Sequence, residues 1–299
     1  MTTTQEVPMP AVTGPTIPRW RLGEQLSELR KRAGKEPTDA AKEIGSSESK
    51  IRKIEAGDVP MKLSDLRVLL DFYEVADADV RADLLNLQRL GNQRGWWAGM
   101  GTVTSSYSTF LGLESAATRM CVFEPLMIHG LLQTEDYARS IARLGLNITP
   151  EDVERQVQIR MGRQKNLWDS DEPPVMEFIL DEAALRRPIG GRDVMHAQLL
   201  HLLEMKDRCQ LLVIPLRGGA HHGLLGALTI FEFPERLHSP VPYVEGQAGN
   251  LYLEKSPDLS RATLTFNRLT AAALSPADSA DLIADIAARD PLIKLEPGS

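Results

Sequence analysis

The chain has 299 residues, of which 25% are charged and 42% hydrophobic, an ordinary composition for a globular protein of about two domains. No apolar run approaches the roughly 18 residues that a membrane-spanning helix needs, and the N-terminus lacks a basic start followed by an apolar stretch, so neither a membrane span nor a secretory leader is expected. The net charge is −7, and the only cysteines, Cys121 and Cys209, lie far apart, which argues against a disulfide framework and fits a reducing cytoplasm.

In chain order, residues 1–18 form a Thr/Pro-rich segment with four prolines and no periodicity, expected to be a disordered tail. Leu22, Leu26 and Leu29 follow at i, i+4 and i+7, one face of a first helix that stops at Gly34. Ala40, Ala41 and Ile44 predict a short second helix ended by Gly45. Ser46 or Ser47 then caps a third helix, with Ile51 and Ile54 inward and Gly57 at its end. This is the layout of a helix-turn-helix. It leaves Ser47, Glu48, Ser49, Lys50, Arg52 and Lys53 on the outer face as candidate DNA-binding residues. Between Arg19 and Lys62 there are eleven basic and eight acidic residues, a local balance of +3 on a chain that is acidic as a whole. A solvated face on a purely structural bundle would show the same apolar spacing.

Lys62 to Val75 carries Leu63, Leu66, Leu69, Leu70 and Tyr73 at helical spacing, a fourth helix over the head's core. Asp77 to Arg94 repeats the pattern as a fifth helix, read as leading out of the head. The division expected is therefore a head over 19–76, a connecting helix over 77–95 and a body over 96–299.

Trp96 and Trp97 are adjacent and read as a packing anchor between domains, with a ligand cage as the alternative. Residues 100–109 read as loop. Helices are predicted over Ala116–Cys121, Thr134–Leu144 and Pro150–Trp168, the last with Pro in its first turn. Strands are expected at Val175–Leu180, Gln210–Leu216, Leu228–Phe233, Val241–Glu245 and Leu251–Glu254, with a helix over Arg192–Met205 and two more at Leu259–Leu274 and Ala277–Ala288. The fold class is α+β: an all-α head of about five helices, then a body of helices packed on a small, mostly antiparallel sheet.

The segment from about Arg19 to Val75 resembles the Cro/repressor class of helix-turn-helix, also called the xenobiotic-response-element class. The marks are Leu26, Leu29 and Arg30, then Ala41 and Ile44-Gly45, then Ile51-Arg-Lys-Ile-Glu-Ala-Gly57. The resemblance implies that Ser49, Lys50 and Arg52 face bases while neighbours hold phosphates. It also implies a homodimer on a palindromic double-stranded operator. Pro37 and Thr38 stand where that class usually has a phosphate-anchoring Gln, and Ala40 where a larger aliphatic is common.

The body resembles the uncharacterised domain that follows such heads in actinobacterial antitoxin-like regulators of the WhiJ type. Gly95-Trp-Trp97, Phe123-Glu-Pro125, Gly130-Leu-Leu-Gln-Thr-Glu-Asp-Tyr-Ala138, Asp181-Glu-Ala-Ala-Leu-Arg-Arg-Pro-Ile-Gly-Gly191 and Tyr243-Val-Glu-Gly246 carry the likeness. It implies a small acidic partner protein encoded nearby.

Little in the body reads as catalytic. His196 and His201 are at i and i+5, so they do not share a helical face, and His221 and His222 sit in a Gly-rich turn read as solvated; no metal is predicted. Arg186 and Arg187 beside Asp181 and Glu182 could hold an anion, or the carboxylates could neutralise them across one turn. No dinucleotide fingerprint, phosphate-binding lysine loop or serine elbow occurs, so no cofactor and no enzyme activity are expected. Two readings stand: a sequence-specific repressor whose body senses a partner or a small ligand, and an antitoxin-like scaffold with weak or no DNA binding. The ligand or partner candidates are Trp96, Trp97, Arg186 and Arg187.

Overall fold

The computed structural model describes residues 14–99, 103–146, 148–234, 237–246, 249–253, 255–290 and 292–293. The chain divides into two compact units, one of residues up to Ala116 together with Phe233–His238, the other of Ala117–Glu232 and Ser239 onward.

The first unit carries the helices α1 (Thr16–Arg32), α2 (Pro37–Glu43), α3 (Glu48–Glu55), α4 (Leu63–Phe72), α5 (Ala78–Gly91) and α6 (Ser105–Ala116). Thr16, Ile17 and Pro18 are helical and buried, so the expected tail is shorter than 18 residues; residues 1–13 lie outside the described residues. Pro37 opens α2 at its first position, where a missing N–H costs nothing, and Glu36 with Asp39 closes a capping box before it. Helix α5 turns back onto α1 and α4 and does not lead away: Leu84 and Leu87 are buried, and Gln88 Nε2 and Asn92 Nδ2 each donate to the Met61 carbonyl at 2.9 Å. Residues read as loop begin α6. The boundary expected near residue 95 therefore moves to Ala116.

The head is pinned from inside. Arg30 Nε and Nη2 donate to the two oxygens of Glu55 at 2.6 and 2.9 Å, Ser27 Oγ donates to the same carboxylate at 3.0 Å, and Arg30 Nη1 reaches the Lys35 carbonyl at 2.9 Å. Both side chains of the pair are nearly buried. A Cβ at Gly23 would run into the Ile54 and Glu55 carbonyls, so α1 crosses the last turn of α3 at backbone distance.

The second unit carries a six-stranded mixed sheet in the order β3–β2–β1–β4–β5–β6, built from β1 (Arg119–Glu124), β2 (Val175–Asp181), β3 (Gln210–Ile214), β4 (Leu228–Glu232), β5 (Val241–Gly246) and β6 (Gly249–Tyr252). Strands β1, β2 and β3 are parallel; the remaining three ladders are antiparallel. Strand β1 overlaps the segment expected to be a short helix. Its four central residues are buried, so both faces are apolar and no alternation marks it as strand.

The parallel crossovers run through α7 (Glu135–Ala142) and α8 (Pro150–Trp168), then α9 (Glu182–Arg186) and α10 (Arg192–Glu204). Phe123, Ile179, Leu212 and Ile230 form one core face with Phe266 and Leu269 of α11 (Ser256–Ala272). Helix α12 (Pro276–Arg289) lies along the β3 edge, where Ser279 Oγ accepts from Val213 N at 3.0 Å. Among the described residues no helix is long and apolar enough to cross a membrane.

Removing one member of the Arg30–Glu55 pair leaves a charge without its partner in a closed core. Arg30→Met is expected to lower the head's unfolding free energy by about 3–5 kcal/mol in chemical denaturation, with much of it recovered in Arg30→Met/Glu55→Leu. A single variant within about 1 kcal/mol of the parent would show that the pair does not hold the head.

Candidate functional site

Helices α2 and α3 meet through a closed turn. Gly45 takes φ 61°, and Gly45 N and Ser46 N return to the Lys42 and Ala41 carbonyls at 3.2 and 2.8 Å, a Schellman end to α2. Ser47 then caps α3, its Oγ accepting from Lys50 N at 3.2 Å. Ile51 and Ile54 face inward. The six residues expected on the outer face do not share one role. Ser49, Arg52 and Lys53 are exposed and, with Glu48, Ala56 and Asp58, line one shallow recess. Arg52 Nε and Nη2 donate to Glu48 Oε1 at 2.8 and 2.6 Å, an exposed pair one turn apart that is cheap to exchange for another anion. Lys50 is half-buried and turned towards α4, with Nζ 3.8 Å from Asp65 Oδ2.

Two buried groups in the head escaped the sequence reading. Arg30 and Glu55 both belong to the helix-turn-helix marks, but nothing in their spacing says that they meet. Next to them Tyr73 is buried with no hydrogen-bond partner for its hydroxyl among the described residues; burial first, and the Glu55 charge second, push its pKa up to about 12.

Trp96 and Trp97 meet edge to face with centroids 5.6 Å apart. Their indole N–H groups donate to Ser115 and Ser108 of α6 at 3.3 and 2.9 Å, so the pair anchors the first unit internally rather than joining two domains. In the second unit Arg186 bonds Glu182 at 2.7 Å and Asp290 at 2.6 Å, the neutralising arrangement expected, with Asp290 added from the end of α12. Arg187 is exposed. Asp181 does not pair with either arginine. It bonds His221, whose Nε2 lies 2.8 Å from Asp181 Oδ2, and the His221 side chain is nearly covered rather than solvated because the loop after β3 folds over the end of β2. His201 faces Glu204 at 3.5 Å, and among the described residues no group of three potential metal ligands occurs.

A second polar cluster lies on the opposite face of the sheet. His129 stacks on Phe178 with centroids 5.3 Å apart, its Nδ1 accepts from Leu131 N at 3.3 Å, and its Nε2 faces Arg163 Nη2 at 3.4 Å. Burial, then the charges of Arg163 and Arg160, hold its pKa well below the ordinary value, so the ring is neutral. Glu124 ends β1 nearby. Burial, with the Glu245 carboxylate adding to it and Arg163 opposing, pushes its pKa up to about 8 from 4.5.

The folded body therefore keeps a proton on Glu124 that the unfolded chain releases near pH 4.5, so this group's stabilisation is lost as pH rises towards about 8. Denaturation midpoints at pH 5 and pH 8 should fall more in the parent than in Glu124→Gln. Equal falls would show that Glu124 is not held protonated.

A family model described as a domain of unknown function (DUF5753) matches residues 107–285, and one described as a helix-turn-helix domain matches residues 21–84. No curated protein and no solved structure matches the chain.

Proposed function

The chain belongs to the DUF5753 family and carries a helix-turn-helix DNA-binding domain, and from that premise we propose that it is a sequence-specific transcriptional regulator, acting as a repressor. The observation that carries this reading is the exposed face of α3, where Ser49, Arg52 and Lys53 project from a helix whose inner side is fixed to α1 by Arg30–Glu55. A short helix presented rigidly, polar outside and capped by Ser47, suits the major groove, where an arginine fork reads the guanine edge and a lysine or serine meets phosphate. Arg52 would exchange Glu48 for DNA, and Lys50, turned towards Asp65, would sit at the margin of the contact.

We assign the operator as a palindrome and the working form as a homodimer, since a two-fold protein matches a two-fold site. The body is read as the sensing domain, a binding rather than a catalytic unit. A small ligand or a small acidic partner protein bound there changes the head's affinity for DNA, and by reciprocity DNA changes the affinity for that effector.

A second reading, an antitoxin-like scaffold with weak or no DNA binding of its own, is favoured by one observation: two of the three basic residues on α3 already have carboxylate partners within the head. Selection of genomic DNA fragments with the full chain separates the two. One palindromic motif should be enriched, and Arg52→Ala should bind it more weakly by about 1–3 kcal/mol. No enrichment at low salt would favour the scaffold.

A further inference from the structure

The parallel half of the sheet sends β1, β2 and β3 in one direction, and their C-terminal ends open onto a cavity of about 310 Å³ in the second unit. Open sheets with parallel strands bind ligands at this end, and the volume is at the small end of the range for ligand pockets. Its wall is aliphatic and unusually exposed: Leu126, Leu216, Leu224 and Leu225 all line it, and Leu225 is 96% exposed. The loop bearing the last two is seated firmly, because Gly223 lies against the Phe123 ring so closely that a Cβ would collide with it.

The floor is polar. Asp181 is 9% exposed in its side chain and His221 8%. Asp181 Oδ1 accepts from Ala183 N at 2.7 Å, and Oδ2 meets His221 Nε2 at 2.8 Å. A backbone N–H can only donate, so the contact of Gly223 N with His221 Nδ1 at 3.2 Å makes Nδ1 an acceptor and puts the ring proton on Nε2. Among the described residues no Lys or Arg lines the cavity. A nearly buried carboxylate thus faces the cavity with two hydrogen bonds, from Ala183 N and His221, and a cation would add a charge-assisted bond to it.

We propose that this cavity binds a small amphipathic amine, its ammonium on Asp181 and its aliphatic body against Leu126, Leu216, Leu224 and Leu225. An acid would meet the Asp181 charge, and a purely apolar molecule would leave it uncompensated. The inference rests on the reading of the body as a sensing domain and names the effector's chemistry.

Calorimetric titration of the full chain with octylamine, octan-1-ol and octanoate tests it. Octylamine should bind one to one, with octanoate weaker by at least about tenfold, and Asp181→Asn should weaken octylamine by a similar factor. Leu225→Ser, a change at a residue 96% exposed, should leave the fold intact and cost about three- to tenfold; it decides the matter if Asp181→Asn fails to fold. Unsaturable octylamine binding, octanoate binding as tightly as octylamine, or affinity unchanged in Leu225→Ser or in folded Asp181→Asn would overturn the assignment; the last is what adsorption to an acidic surface would give. The titration contains no DNA, so its failure removes this effector and leaves the head's DNA reading to the selection experiment.

Discussion

The Arg30–Glu55 pair is the constraint on which the head depends. An eight-residue helix is too short to be stable alone in water, so α3 takes its position from what it packs on. Ile51 and Ile54 supply the apolar contact, but apolar contact is not directional. The bidentate bond, with Ser27 on the same carboxylate, fixes both the rotation and the height of α3 against α1. Gly23 allows the close crossing that brings guanidinium and carboxylate together. Rigid presentation of Ser49, Arg52 and Lys53 then follows, and a groove-reading helix needs just that: its side chains must meet base edges in one register. Such a pair is weak evidence for net stability; its contribution here is geometric.

In the body the equivalent constraint is topological. The change from parallel to antiparallel pairing at β1 places the ends of three strands side by side, which brings Asp181 and the loop after β3 to one end of the sheet. The two faces of the sheet then carry separate chemistry. On the α11 side the Asp181–His221 pair sits under aliphatic walls. On the other, buried His129 meets Arg163, and Glu124 stands nearby at the end of β1; burial raises the pKa of Glu124 and lowers that of His129. The first opens to solvent and suits binding; the second, through Glu124, makes the body's stability depend on pH.

Much of the head could be read from residue spacing. Leucine periodicity placed α1, α4 and α5, glycines placed the ends of α2 and α3, and Ser47 is one of the two caps expected. In the body, Pro150–Trp168 follows from its proline start and apolar face. What was misread has physical causes. Strand β1 is buried on both faces and shows no alternation, and the start of α6 is Ser/Thr-rich and lacks an apolar stripe. The small, mostly antiparallel sheet expected is present, with three of its five ladders antiparallel; its two parallel ladders depend on long crossovers that no local pattern encodes. For the site, the outward face of α3 was legible because it is a property of one helix. The Arg30–Glu55 and Asp181–His221 contacts join residues 25 and 40 positions apart, and only the fold brings them together. A histidine among glycines looked solvated for the same reason.

The central claim is that α3 reads DNA as part of an anchored head. The most direct test is the affinity of the full chain for its best-enriched duplex across a salt series, with Lys53→Ala in parallel. The account predicts that log affinity falls steeply and linearly with log salt, and that the variant's slope is shallower by about one. A flat salt dependence, or a slope unmoved by the variant, would contradict it.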